Sequence, residues 1–67
     1  MKVTYDKEVD AAYIYLKRIS PGEVKETIEL NENIILDFDS QKRLIGIEIL
    51  AASKVAPKGA VAAMQTA

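Results

Sequence analysis

From Lys2 to Leu50 apolar and polar residues alternate with a period close to two. At that spacing successive side chains fall on opposite faces of a strand. Five strands follow from the pattern. The first runs from Lys2 to Tyr5, with Val3 and Tyr5 on one face. The second, Ala12 to Lys17, sets Ala12, Ile14 and Leu16 against Tyr13 and Tyr15, so both of its faces carry apolar or aromatic groups. The third, Val24 to Leu30, turns Val24, Ile28 and Leu30 one way and Lys25, Thr27 and Glu29 the other. The fourth, Ile34 to Asp39, directs Ile34, Leu36 and Phe38 inward and Asp37 and Asp39 outward. The fifth, Leu44 to Leu50, groups Ile45, Ile47 and Ile49 on one face.

The punctuation between these runs is equally regular. Ser20-Pro21-Gly22 is a turn, because Pro presets φ and Gly supplies a positive one. Asn31-Glu32-Asn33 is a tight connection, since Asn tolerates the left-handed region, and Ser40 to Arg43 turns the chain again. Short loops between successive strands imply antiparallel neighbours. The tail after Leu50 is Ala-rich and loses the alternation; a short helix from about Pro57 fits it, with Gly59 working against that helix and the last residues fraying. The expected fold is therefore α+β and β-dominated: an antiparallel meander of four to five strands with a short C-terminal helix. Residues 1–54 form the β-meander domain, and residues 55–67 a short helix or frayed tail of the same single domain.

The core expected from this reading is Val3, Tyr5, Ile14, Leu16, Ile28, Leu30, Leu36, Phe38, Ile45, Ile47 and Ile49. A single sheet must bury its apolar face against another layer. The chain offers only a weak helix for the purpose. The helix, a second copy or a different protein has to cover the rest.

Composition narrows the chemistry. The chain has 67 residues, no Cys and no His. A domain of this size buries only about 60% of the surface its unfolded chain exposes, and without disulfides such domains often lean on oligomerisation. Cys nucleophiles, imidazole bases, zinc-finger ligands and redox motifs are excluded together. A secreted mini-protein is usually stapled by disulfides, so the expected compartment is the cytoplasm. Nine basic and ten acidic residues are interspersed, for a formal charge of −1. There is no basic stripe of the kind nucleic-acid binders carry. No apolar run reaches the ~20 residues that span a bilayer, and MKVTYDKEVD is no signal peptide.

Tyr5-Asp6-x-Glu8-x-Asp10-Ala11-x-Tyr13-Ile14-x-Leu16 resembles the opening signature of an uncharacterised prokaryotic family, domain of unknown function 2283. Asn33 to Asp37 and Gly46 to Leu50, with Ala52-Ser53-Lys54 after them, resemble its middle and close. The likeness runs from Lys2 to Lys54. It implies a short, stand-alone, β-rich protein without established activity. Some members are encoded beside small proteins that look like endoribonuclease-type toxins, which implies an antitoxin-like role for those members. One departure is structural: the family turn after the fourth strand usually carries Gly about where Lys42 stands. Either a non-Gly residue takes a positive φ there, at a cost of roughly 1 kcal/mol, or the loop differs.

Two carboxylate sets and one aromatic pair are the candidate chemistry. Asp6, Glu8 and Asp10 fall on one face of an extended segment, and three hard oxygen donors suit Ca²⁺ or Mg²⁺. The competing reading makes them a turn, with Asp6 and Asp10 accepting from backbone amides and Glu8 in solvent. Asp37, Asp39 and Glu48 form the second set; an acid–base pair there needs one carboxyl raised by burial, whereas a solvated, salt-bridged face with Lys17, Lys25 or Arg43 needs nothing. Tyr13 and Tyr15, with Ile35 and Leu50, give the second face an apolar patch, and Tyr is enriched at interfaces. Lys54 and Lys58 read as solubilising charges. The function expected is a non-catalytic protein-interaction module that needs no cofactor. It self-associates as a homodimer through Tyr13, Tyr15, Ile35 and Leu50, or meets a small, toxin-like protein partner. It binds neither nucleic acid nor membrane. The alternative is a metal-dependent hydrolase or small-ligand binder built on the clustered carboxylates.

Overall fold

The computed structural model describes the backbone of residues 1–66 and the side chains of residues 1–64. The elements in chain order are β1 (Lys2–Asp6), β2 (Ala11–Tyr15), β3 (Glu26–Glu29), β4 (Ile34–Phe38), β5 (Leu44–Leu50), α1 (Ala52–Val55) and α2 (Ala60–Thr66). All five strands join one antiparallel sheet, which makes the molecule the β-dominated α+β domain that the period-two pattern predicts.

Strand order is β1-β2-β5-β4-β3. Consecutive strands pair, with one exception. Residues 16–25 carry the chain from β2 to the far edge of the sheet, so β2 and β3 are not neighbours and β5 lies beside β2 instead. The faces explain the choice. β2 is apolar or aromatic on both faces and is flanked on both sides; β3, with Glu26 and Glu29, takes an edge.

The long connection is held by its own turn. The Glu23 amide donates to the Ser20 carbonyl at 3.0 Å, and Gly22 takes φ 80°, the geometry that Pro21-Gly22 sets up. The Glu23 carboxylate receives the Ser20 amide and pairs with Lys17. In the β3–β4 turn no Asn adopts a positive φ among the described residues. Instead Asn31 Oδ1 accepts the amides of Asn33 and Ile34 at 2.8 and 2.9 Å, an Asx-type closure. In the β4–β5 turn Lys42 does take the left-handed conformation, with φ 63°. Asp39 organises that turn: its Oδ1 accepts the amides of Gln41 and Arg43, and its Oδ2 the Arg43 Nε, each at 2.9 Å. A register shift follows at Asp37/Phe38, where Phe38 faces Leu44 and Asp37 faces Gly46.

The tail makes two short helices. α1, directly after β5, lies upstream of the helix expected from Pro57. Ala51 at φ 53° bends the chain out of the strand and into it. Gly59 at φ 88° sits in the turn before α2 rather than inside it. The expected fraying at the end of the chain lies outside the described residues at Ala67. α2 packs on β1, and α1 on β5 and α2.

Among the apolar side chains, Ala12, Ile45 and Ala52 are buried. Val3, Tyr5, Ile14, Leu36, Phe38, Ile47 and Ile49 are half-buried. Leu16, Ile28 and Leu30, expected in the core, are 38%, 42% and 63% exposed. The helices sit over the β1 and β5 side of the sheet, so the apolar face is left open toward β3.

Candidate functional site

The sheet carries one carboxylate clasp on each face. The first begins in the β1–β2 turn. Asp6 Oδ1 accepts the Glu8 amide at 2.9 Å, closing the turn locally. Asp10 takes φ 54° and sends its carboxylate away from the turn altogether. Oδ1 receives the Tyr5 hydroxyl at 2.6 Å and the Ser53 amide at 3.0 Å, and Oδ2 receives the Ser53 hydroxyl at 2.5 Å. The Asp10 carbonyl accepts the Ala52 amide at 2.9 Å. Ala51 has no side chain able to cap α1; Asp10 caps it from 43 residues away. These bonds favour the ionised form, so the Asp10 carboxyl is held below its ordinary value, by Ser53 first and Tyr5 second. The same bond raises the Tyr5 hydroxyl.

The second clasp lies on the opposite face. Tyr13 on β2 donates to Asp37 Oδ2 on β4 at 2.5 Å, and Thr27 on β3 donates to Oδ1 at 2.7 Å. β5 runs between β2 and β4, so the tyrosine has to cross it. Gly46 is the crossing point: a Cβ there would lie 2.0 Å from Tyr13 Oη and 2.6 Å from Cζ. Glycine inside a strand marks such a close approach. Burial, then the carboxylate beside it, pushes the Tyr13 hydroxyl far above the ordinary phenol value. The hydroxyl stays a donor and makes a poor base. Tyr15 packs its ring 4.6 Å from that of Tyr13, with Lys2 Nζ 5.6 Å from the Tyr15 centroid.

These contacts place the candidate residues. Asp6 is engaged in its turn, Asp10 at α1, and Glu8 is exposed. Asp39 is drawn into the β4–β5 turn, where the Arg43 amide above all holds its carboxyl low against the opposing effect of burial. Asp37 serves Tyr13 and Thr27. Among the described residues no three His, Cys, Asp or Glu side chains are grouped to hold a metal ion. Tyr13, Tyr15, Ile35 and Leu50 do share one face: Tyr13 and Ile35 flank Glu48, and Leu50 faces Ala11. Tyr5, Thr27, Gly46 and Ser53 carry the clasps yet are missing from the candidates above. Gly46 alone had a local signal, as a glycine in an isoleucine-rich strand. A shallow groove of about 560 Å³ opens beside Tyr15, lined also by Lys2, Lys17 and Arg18.

Fold and clasps define a small antiparallel-sheet protein in which Asp10 ties the sheet to a helix and Asp37 ties its strands to one another. The chain belongs to the family described as protein of unknown function (DUF2283), whose model matches residues 2–53. It is similar to an uncharacterized protein of Methanocaldococcus jannaschii, 38% identical over 55 residues, which are 82% of this chain and 44% of the relative. The chain thus spans less than half the length of that relative. No solved structure matches it. Among the described residues no helix is long and apolar enough to cross a membrane.

Proposed function

We propose that this protein is a non-catalytic interaction module that buries sheet surface against a second copy of itself. A small protein of the endoribonuclease-toxin type is the second kind of partner, met in the cytoplasm. The observation that carries the reading is the uneven cover of the apolar face. The helices pack at the β1 and β5 side, while Ile28 and Leu30 at the β3 side are 42% and 63% exposed. Apolar side chains grouped on one open surface favour association. On the other face Tyr13, Tyr15, Ile35 and Leu50 add a second contact surface, Tyr13 being already bound to Asp37. Asp6, Asp10, Asp37 and Asp39 are engaged in clasps and turns, which is how structural groups behave.

The test is the solution mass of the purified chain by size-exclusion chromatography with light scattering across a dilution series. A discrete dimer is expected at high concentration. A monomer at every concentration overturns self-association.

A further inference from the structure

One apolar row crosses the whole sheet. Val3 faces Ile14, Ile14 faces Ile47, Ile47 faces Leu36, and Leu36 faces Ile28. The row ends at β3, an edge strand whose residues are all exposed. The backbone is open at the same place. The Leu30 amide donates inward to the Ile34 carbonyl at 2.8 Å. Antiparallel bonding alternates, so the amides and carbonyls of Thr27 and Glu29 point outward from the sheet. At the other edge α2 packs on β1.

We propose that two copies pair antiparallel through β3 about a two-fold axis at Ile28, joining into one ten-stranded sheet. This rests on the self-association proposed above and specifies its interface. Thr27 of each copy bonds Glu29 of the other, giving four backbone hydrogen bonds. Ile28 meets the second copy's Ile28 as a non-hydrogen-bonded pair, with Cα atoms about 4.5 Å apart. The apolar row then runs unbroken through both copies. The neighbouring registers fit less well. Centring on Thr27 puts Glu26 of the second copy opposite Ile28, and centring on Glu29 opposes two carboxylates. In this register the two Glu29 side chains lie diagonal to each other. Lys25 stands just before β3, where its amide donates to the Phe38 carbonyl at 2.8 Å although Glu26 is the register partner of Phe38, so the strand is irregular there. Lys25 has no ion-pair partner among the described residues of its own chain and is the cation nearest to this seam in sequence.

The chain has no cysteine, so single cysteines report the geometry directly. Ile28→Cys and Leu30→Cys are each oxidised at concentrations where the wild type is dimeric. Ile28→Cys is expected to form a disulfide dimer at least tenfold faster than Leu30→Cys, although Leu30 is the more exposed, because in this register two Leu30 side chains lie beyond disulfide reach. Ile28→Arg is expected to weaken dimerisation at least tenfold by sedimentation equilibrium with an unchanged circular-dichroism spectrum. Equal cross-linking rates, or a folded Ile28→Arg that dimerises like the wild type, overturn edge pairing and leave self-association standing. A wild type that stays monomeric at every concentration overturns both.

Discussion

The two faces of the sheet solve the same problem with the same groups and reach different kinds of fastening. On the apolar face Asp10 gathers a Tyr hydroxyl, a Ser hydroxyl and a Ser amide. On the other, Asp37 gathers a Tyr hydroxyl and a Thr hydroxyl. Asp10 ties a turn to a helix, and its cost is backbone strain: Asp10 and Ala51 both take positive φ. Asp37 ties three strands to one another, and it depends on a missing side chain, Gly46. A Tyr–Asp–hydroxyl cluster is thus no sign of catalysis by itself. Where the phenol is held protonated and the carboxylate is fully engaged, the cluster is an anchor.

The largest effect expected from breaking this pair of clasps is Gly46→Ala. A methyl group where Tyr13 crosses β5 expels the ring, at a cost of about 3 kcal/mol, read as a lower urea midpoint at unchanged m value. In a Tyr13→Ala background the same substitution meets no ring and its cost should largely vanish. An equal cost in both backgrounds would show that Gly46 serves something other than the crossing.

Asp10→Asn comes next. Losing the ionised cap should lower the melting temperature at pH 7 by roughly 5–10 °C and reduce hydrogen-exchange protection at Ser53. The acid response sharpens the contrast. The folded-state pKa of Asp10 lies below the unfolded one, so its contribution is complete above the ordinary Asp value of about 4. It fades as pH falls through the depressed folded value. Asp10→Asn should therefore flatten the acid limb of a pH–stability curve. An unchanged limb would mean that Asp10 is not linked to folding.

Tyr13→Phe is the mildest change. It keeps the ring over Gly46 and removes one hydrogen bond, leaving Asp37 with Thr27, for a loss of about 1 kcal/mol. If it costs as much as Gly46→Ala, the hydroxyl rather than the ring holds the face together.

Each piece of the fold was legible in proportion to how local its cause is. The strands are written in the alternation, and the Ser20–Gly22 turn in Pro21 and Gly22. Asp6 acts on an amide two residues away, and the turn reading of the acidic stretch anticipates it. Asp10 looks identical in sequence, yet its partner is Ser53. No spacing rule connects positions so far apart. The exposed Leu16, Ile28 and Leu30 show the same limit: their side chains have core chemistry, but whether anything covers them depends on which strands lie beneath the helices.

The sequence by itself thus determined five strands, their two faces, the antiparallel α+β class and the Pro21-Gly22 turn, because period, proline and glycine act within a few residues. Only the tertiary structure decided that β5 lies between β2 and β4, that Gly46 lets Tyr13 through, and that the apolar row ends at an open edge. Those outcomes turn on which strands become neighbours, and neighbours in a sheet are chosen by burial across the whole chain.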